Sequence, residues 1–265
     1  MTTTTHEPYR YERFRLPHML ADLRFDPASP APGDPVPDVE LATLDGERLH
    51  TRALPRPHLF VFGSSTCPMT ASAAEPLRRL HERYGDAVRF VVVQVREAHP
   101  GDRLPQPGDL GTKTRHAELL RELIGGGMTF AVDDPDGTFH RGLDPKPNAA
   151  YLVDAAGTIV FRSIWASDER GLAEALEAVV SDQPLPREQS TRMLGPMMGS
   201  LGYLDDVLRT AGPGAARDLA LSAPPMLLGA RGASVFRWLP RRRRGPALLA
   251  ATVVLAAVVA AVLLL

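Results

Sequence analysis

One stretch of the chain, residues 58–84, constrains the fold more than any other. It begins with a short apolar run, Leu59 to Phe62, bounded by Pro57 and Gly63 as a buried strand usually is. A tight turn follows, and then apolar residues at helical spacing, with the only cysteine, Cys67, in the first turn of the segment. The pattern predicts a strand, a turn and a helix whose beginning presents a thiol.

The position of Cys67 suggests a reactive thiol. A thiol at a helix N-terminus meets unpaired backbone N–H groups and the positive end of the helix dipole, and both favour the nucleophilic thiolate. We therefore expect Cys67 to ionise more readily than a free cysteine. The alternative is a small buried apolar residue. A single cysteine also excludes an intramolecular disulfide and an internal dithiol redox pair.

The segments around this stretch predict an α/β domain. Val88 to Val95 is nearly continuous in apolar residues, as a strand covered on both faces is, so residues 59–95 form a βαβ unit with a parallel pair. A hairpin is expected before it, and a helix, a strand, a second hairpin and a closing helix after it. This order is that of a thioredoxin-like fold, a central mixed sheet with helices on both faces, over residues 34–182.

Four residues fall at one edge of the predicted sheet. Cys67 follows one parallel strand, Glu97 and His99 follow its neighbour, and Pro147 precedes the strand of the second hairpin. His99 within reach of Cys67 would lower the thiol pKa as an ion-pair partner or deliver a proton, and Glu97 could fix the His99 tautomer or act as the acid. The alternatives are an exposed loop histidine and a solvated carboxylate.

Two motifs resemble the iodothyronine deiodinase family. They are Phe62-Gly-Ser-Ser-Thr-Cys-Pro68 and Phe90-Val-Val-Val-Gln-Val-Arg-Glu-Ala-His99, and Pro147-Asn-Ala-Ala-Tyr-Leu-Val153 is also similar to a segment of that family. The resemblance covers about residues 34–180. It implies a thioredoxin fold, Cys67 at the selenocysteine position, His99 and Glu97 as catalytic groups, Ser65 and Thr66 as supporting residues, and a cis Pro147. The family's membrane anchor is N-terminal, whereas an apolar segment here is C-terminal.

The residue three positions after Cys67 determines what a catalytic cycle would need. Thr70 stands where dithiol thioredoxins have their second cysteine. Cys67 could attack a disulfide, a peroxide or a sulfenyl group, but its release would need an outside thiol, either a small molecule or a separate protein. We therefore predict a membrane-tethered thiol oxidoreductase, deiodinase-like, that has Cys67 as a single nucleophile, an external thiol reductant, and no metal or other cofactor.

Two other functions remain open. A one-cysteine peroxidase is possible on the same fold, although peroxiredoxins carry a threonine three residues before their cysteine and the residue here is Ser64. A non-catalytic binding module held at the membrane is the other, because the chain has no resolving cysteine. The net charge of −1 does not indicate a nucleic-acid partner, and the sequence leaves open whether the chain forms a homodimer.

The C-terminal segment predicts a membrane anchor. Residues 246–265 contain 19 consecutive residues, Ala247 to Leu265, that are Ala, Val or Leu except for one threonine. As a helix they would be about 28 Å long, close to the thickness of the hydrocarbon core of a bilayer. Arg241 to Arg244 precede them, so the positive-inside rule places the larger domain in the cytoplasm. We expect a single-pass, tail-anchored protein.

The composition of the remaining segments predicts less regular structure. Residues 1–33 are polar and end in a proline-rich run, which predicts a flexible N-terminal arm, and no signal peptide is recognisable. Residues 183–245 are predicted to be a linker with short amphipathic helices and a basic juxtamembrane run. A membrane-lying or partner-binding helix, and a helix packed on the domain, are the alternatives for the apolar residues between 193 and 208.

Overall fold

The computed structural model describes residues 9–263, and these contain one eight-stranded mixed sheet. Residues 1–8 of the predicted arm and residues 264–265 of the predicted anchor lie outside the described residues. The strands are β1 (Glu40–Thr43), β2 (Arg48–His50), β3 (His58–Gly63), β4 (Arg89–Gln94), β5 (Thr129–Val132), β6 (Ala150–Val153), β7 (Ile159–Ser163) and β8 (Gln189–Ser190).

The strand order is β2-β1-β5-β4-β3-β6-β7-β8, which places β3 near the middle. β3 pairs in parallel with β4, with Leu59 opposite Phe90, and antiparallel with β6, with Phe60 opposite Tyr151. Every residue of β3 is buried, as a strand covered on both faces requires. The predicted βαβ unit and both predicted hairpins are confirmed, and with them the thioredoxin-like fold.

Helices cover both faces of the sheet. On one face lie α2, α3 and α5, whose buried leucines pack on β3 and β4. On the other face lie α4 and part of the N-terminal segment, which bring Phe139 and Phe25 into a second core. The helices are α1 (Leu16–Ala21), α2 (Pro68–Tyr84), α3 (Leu110–Ile124), α4 (Thr138–Gly142), α5 (Glu169–Val180), α6 (Leu194–Ala211), α7 (Pro213–Ser222), α8 (Pro224–Ala233) and α9 (Arg241–Leu263).

The N-terminal segment packs on the domain, which corrects the expectation of a flexible arm for residues 9–33. Tyr11, Phe14 and Phe25 are buried. The Tyr11 hydroxyl donates to the carbonyl oxygen of Ala98 at 2.9 Å, and the Arg96 guanidinium lies 4.9 Å from the centre of the Tyr11 ring. Aromatic side chains that bury this much apolar surface outweigh the polar composition of the segment.

The region after the domain also differs from the predicted linker with short helices. α6 is 18 residues long and packs against α2, and α7 and α8 fold back on it. Leu204 and Leu208 of α6 form a third apolar core together with Tyr11 and Phe14 of the N-terminal segment. For the apolar residues between 193 and 208, the alternative of a helix packed on the domain is therefore the correct one. The apolar face of α6 is buried against the N-terminal segment.

α9 begins on the domain and continues away from it. Within residues 9–263 it is the one helix long and apolar enough to cross a membrane, and its apolar part is exposed. Its first turns cross α6 closely, since a Cβ at Gly245 would run into the carbonyl oxygen of Met198, and a Cβ at Gly202 into that of Arg241. Glycine pairs of this kind let two helix backbones approach each other.

Candidate active site

Cys67 lies at the start of α2, directly after the turn that follows β3. It is the N-cap residue, Pro68 occupies the first helical position, and the Cys67 carbonyl accepts from the Ala71 N–H at 3.0 Å. Proline suits this position because its missing N–H would have had no partner there. The side chain is 1% exposed, so the thiol is at the predicted place but is enclosed.

Burial controls the ionisation of this thiol. Desolvation raises the pKa of Cys67 to about 11, while the Thr70 hydroxyl and the backbone N–H groups of Met69 and Thr70 act in the lowering direction. The expectation that the helix start makes Cys67 more readily ionised is therefore wrong for this closed pocket. The penalty for burying a thiolate exceeds the stabilisation that the helix start supplies.

Thr70 directs its hydroxyl proton towards Cys67. The Thr70 oxygen accepts from the Ser64 N–H at 3.4 Å and from the Asn148 side-chain amide at 3.3 Å. With both acceptor positions used, the remaining proton is available to the sulfur, in agreement with the lowering effect of Thr70 on the Cys67 pKa. Thr70 thus stabilises a thiolate, although it cannot act as a second thiol.

Glu97 is buried beneath the turn that carries Cys67. One carboxylate oxygen accepts from the backbone N–H and the hydroxyl of Thr66, at 3.0 and 2.6 Å. The other accepts from the Gln94 amide at 2.9 Å and lies 2.8 Å from Nδ1 of His116. Both oxygens are therefore engaged away from His99, and the expectation that Glu97 fixes the His99 tautomer is wrong. Glu97 anchors the turn instead.

His116 was missed by the sequence reasoning. It lies on α3, 5% exposed, on the same face as the buried Leu120. A histidine on the apolar face of an amphipathic helix was the signal that could have drawn attention to it, because a buried imidazole needs a polar partner. Its backbone carbonyl also accepts from the hydroxyl of Ser65 at 3.2 Å, so α3 supports two predicted site residues.

His99 lines the same cavity as Cys67, as predicted from the sheet edge. It is 5% exposed, and its ring lies 4.3 Å from the ring of Phe14. Burial lowers the pKa of His99 to about 4, so the imidazole is neutral at neutral pH and does not form the expected ion pair with a thiolate. Among residues 9–263, none provides a hydrogen-bond partner for its Nδ1.

The other predicted supporting residues are also at this edge. The Thr66 oxygen accepts from the His99 N–H at 3.2 Å, which ties the two loops together. Pro147 lines the cavity. No peptide bond within residues 9–263 is cis, so the expectation of a cis Pro147 is wrong. The Asn148 side-chain amide donates to the Phe62 carbonyl oxygen at 3.2 Å, and this hydrogen bond ties the segment before β6 to the end of β3.

The cavity above Cys67 has a volume of about 380 Å³ and is almost entirely apolar. Its floor comes from the sheet edge, with Cys67 and His99, and its walls come from the N-terminal segment and from α6, α8 and α9. Asp22 is an acidic residue in the lining, and desolvation raises the pKa of its carboxyl to about 7. No group of three or more His, Cys, Asp or Glu side chains that could hold a metal occurs in the described part of the chain.

The fold and the site define a thioredoxin-like protein with a single cysteine at the end of its central strand. A solved structure, an uncharacterised conserved protein from Geobacillus kaustophilus, has a similar fold with a TM-score of 0.51 and 17% identity, over 63% of this chain and 90% of that one. A thioredoxin-like protein from Porphyromonas gingivalis is 19% identical, with a TM-score of 0.44, over 58% of this chain and 96% of that one.

The comparison of sequences is more specific. Residues 18–120 match the family model described as iodothyronine deiodinase, which confirms the resemblance that the two motifs predict. A curated relative, thyroxine 5-deiodinase of Gallus gallus, is 32% identical in an alignment of 103 residues, which covers 34% of this chain and 40% of the relative. The similarity thus spans less than half the length of that relative, and it includes Cys67, Glu97 and His99 within the residues matched by the family model.

Proposed function

We propose that this protein is a deiodinase-like, thiol-dependent oxidoreductase that uses Cys67 as its single nucleophile. The observation that carries the proposal is the position of this thiol on the floor of an apolar cavity, at the carboxyl end of the parallel strands, in a segment similar to deiodinases. With Thr70 in place of a second thiol, an external thiol completes each cycle.

The reaction passes two electrons from thiols to the substrate. The Cys67 thiolate attacks the electrophilic sulfur, oxygen or halogen atom of the substrate, and the bond from that atom to the rest of the substrate breaks. The leaving fragment takes the electron pair and a proton, and Cys67 is left as a mixed disulfide or a sulfenyl species. External thiols then displace the group on Cys67, regenerate its thiol and become a disulfide.

The raised pKa of Cys67 determines how this thiol must be activated. At pH 7, a thiol with a pKa of about 11 is ionised in about one molecule in ten thousand. His99 enters the cycle neutral and would accept the proton that Cys67 gives up, because a negative charge forming beside it raises its pKa; it would then pass that proton to the leaving fragment. Thr70 would thus stabilise the thiolate while His99 carries the proton from the thiol to the leaving fragment.

We also propose that α9 anchors the protein in a membrane, with the domain on the cytoplasmic side. The length and composition of α9 support the anchor, and Arg241 to Arg244 at its start support the orientation. Two of these arginines also bond to the domain, Arg241 to Asp206 at 2.8 Å and Arg242 to Glu169 at 3.3 Å. These ion pairs would hold the domain close to the membrane surface.

The proposed activity is tested by thiol-dependent turnover of the full chain in detergent micelles. Wild-type protein and Cys67→Ser are incubated with dithiothreitol and one of three substrates: an iodinated phenol, a disulfide or hydrogen peroxide. We expect the wild type to reduce at least one of these substrates, and Cys67→Ser to do so at a rate at least 100-fold lower. Full activity of Cys67→Ser would contradict the proposal, and turnover of peroxide alone would identify a one-cysteine peroxidase.

One observation favours a second candidate, a non-catalytic binding module. A thiol as buried as Cys67, with a raised pKa, is also what an inert structural cysteine shows. The same assay separates the two functions. Absence of turnover with all three substrates, in a folded protein that still binds small apolar molecules, would establish the binding module.

A further inference from the structure

We propose that the cavity above Cys67 takes an uncharged, apolar molecule dissolved in the membrane, which is admitted beside α9. The inference names the substrate class for the reaction proposed above and therefore rests on that function. It depends on three features of the structure: the composition of the cavity walls, the part that α9 takes in lining the cavity, and a buried polar atom without a partner in the same cavity.

The walls select against charged ligands. None of the residues between 9 and 263 that line the cavity is a lysine or an arginine. A carboxylate or phosphate entering the cavity would lose its hydration without finding a cation among the lining residues, which disfavours its binding. Asp22, the acidic residue in the lining, offers an anion no positive partner. An uncharged apolar molecule gains from burial against the methionines of α6 and α8.

One wall of the cavity is formed by the proposed membrane anchor, α9. Leu248, Leu249 and Thr252 line the cavity. They lie four to eight residues after Arg244, which is about 6 to 12 Å further along the helix. If the arginines lie among lipid headgroups, this wall stands at the edge of the hydrocarbon core. A molecule dissolved there meets the cavity without crossing water.

Exposed apolar residues next to α9 extend the surface that could face lipid. Leu228 on α8 is 67% exposed, and Val235 and Trp238, just before α9, are 64% and 71% exposed. Leu228 lies between Met226 and Gly229, which both line the cavity. Tryptophan is enriched at the interface of membranes with water, and a patch of this kind suits that environment.

His99 supplies a polar contact inside the apolar cavity. Its Nδ1 is buried and has no partner among residues 9–263, and a buried polar atom is normally hydrogen-bonded. A ligand with one polar group beside its reducible atom would satisfy this nitrogen and hold that atom at Cys67. The cavity volume of about 380 Å³ falls in the range of small-molecule sites.

The test compares two reagents that differ by one carboxylate. The full chain is reconstituted in phosphatidylcholine vesicles, and the rate of Cys67 alkylation is measured with N-hexylmaleimide and with 6-maleimidohexanoic acid. We expect the uncharged reagent to react at least tenfold faster. Cys67→Ser/Ala156→Cys, with its thiol on an exposed turn, corrects for partitioning and should react at similar rates with both reagents.

A charge placed in the cavity provides the matched variant. Met226→Lys puts a cation into the lining and should reverse part of the preference for the uncharged reagent, whereas Leu221→Lys, on the exposed surface of α7, should leave it unchanged. Equal wild-type rates with both reagents would overturn the inference, even if Met226→Lys fails to fold. In that case, turnover that depends on Cys67 would still support the proposed function. Conversely, if the protein showed no turnover but still reacted faster with the uncharged reagent, the proposed function would fail and the preference of the cavity would stand.

Discussion

Glu97 joins His116 of α3 to the turn that presents Cys67. The distance from a Glu97 carboxylate oxygen to Nδ1 of His116 is 2.8 Å, and the other carboxylate oxygen holds Thr66, the residue before the cysteine. A buried carboxylate with all its partners in place fixes geometry more than it exchanges protons. The precise placement of the thiol therefore depends on a helix more than 40 residues further along the chain.

Removal of this anchor should destabilise the fold. Glu97→Ala leaves the Thr66 N–H, the Gln94 amide and His116 without their acceptor, and we expect a loss of about 3 kcal/mol in the free energy of unfolding. Glu97→Gln should lower the free energy of unfolding by about 1–2 kcal/mol, because the NH₂ group of glutamine would face hydrogen-bond donors and cannot accept from them. Urea unfolding of the full chain in micelles measures both changes. Exposed Glu118→Gln on α3 is the control, and an equal loss there would refute the anchor.

Thr70 should control the reactivity of Cys67. Thr70→Val removes the hydroxyl that stabilises the thiolate, so the pKa of Cys67 should rise further above about 11. Alkylation by iodoacetamide at pH 8 should slow by about 3- to 10-fold, since the rate follows the thiolate fraction. For the wild type the rate should grow about tenfold per pH unit up to the pKa. Thr114→Val on α3 should leave the profile unchanged, and a similar slowing there would argue against a direct contact.

His99 should make the fold sensitive to acid. Because burial lowers the pKa of His99 from about 6.5 to about 4, the neutral imidazole is favoured in the folded state. Its contribution to stability is complete above about pH 6.5 and declines as pH falls towards 4, by about 3 kcal/mol in total.

Comparison of unfolding free energies at pH 7.5 and 4.5 tests this dependence on His99. His99→Gln should show a smaller difference between the two pH values than the wild type. Burial also lowers the pKa of His140 and His58, so part of the slope should remain in the variant. Exposed His50→Gln should retain the wild-type slope. A slope in His99→Gln equal to that of the wild type would contradict the assignment.

The crossing of α6 and α9 should determine how closed the cavity is. Gly245→Ala places a Cβ against the carbonyl oxygen of Met198, so α9 must move away from α6. We expect Cys67 to become accessible to 6-maleimidohexanoic acid, with a several-fold higher alkylation rate. Gly195→Ala on α6, where an added Cβ meets no atom within 4 Å, is the control and should leave this rate unchanged. An unchanged rate in Gly245→Ala would show that α9 does not close the cavity.

Much of the domain follows from local patterns. The apolar run of β4, the turn residues between β6 and β7 and the periodicity of α2 each predicted an element that the structure contains. Strands buried on both faces and amphipathic helices carry their environment in their own residues, which makes them recognisable without tertiary information. The two-residue strand β8 and the short helix α4 carry too few residues to show a period.

The candidate site was only partly predictable. The sheet edge correctly brought Cys67, His99 and Pro147 to one cavity, because the carboxyl ends of parallel strands meet there. The partners of Glu97 were not predicted, since His116 and Gln94 reach it from separate elements. The prediction that Cys67 ionises readily was also wrong, because the pKa of this thiol depends on how completely other segments of the chain enclose it.

The sequence by itself determined the thioredoxin-like sheet and the position of the single thiol at a helix start. Tertiary structure alone decided that the N-terminal segment, α6, α8 and α9 close over this thiol and turn a sheet edge into an apolar cavity. The physical reason is that local periodicity reports which face of an element is buried, whereas the depth of burial of Cys67 and His99 depends on distant segments packing together.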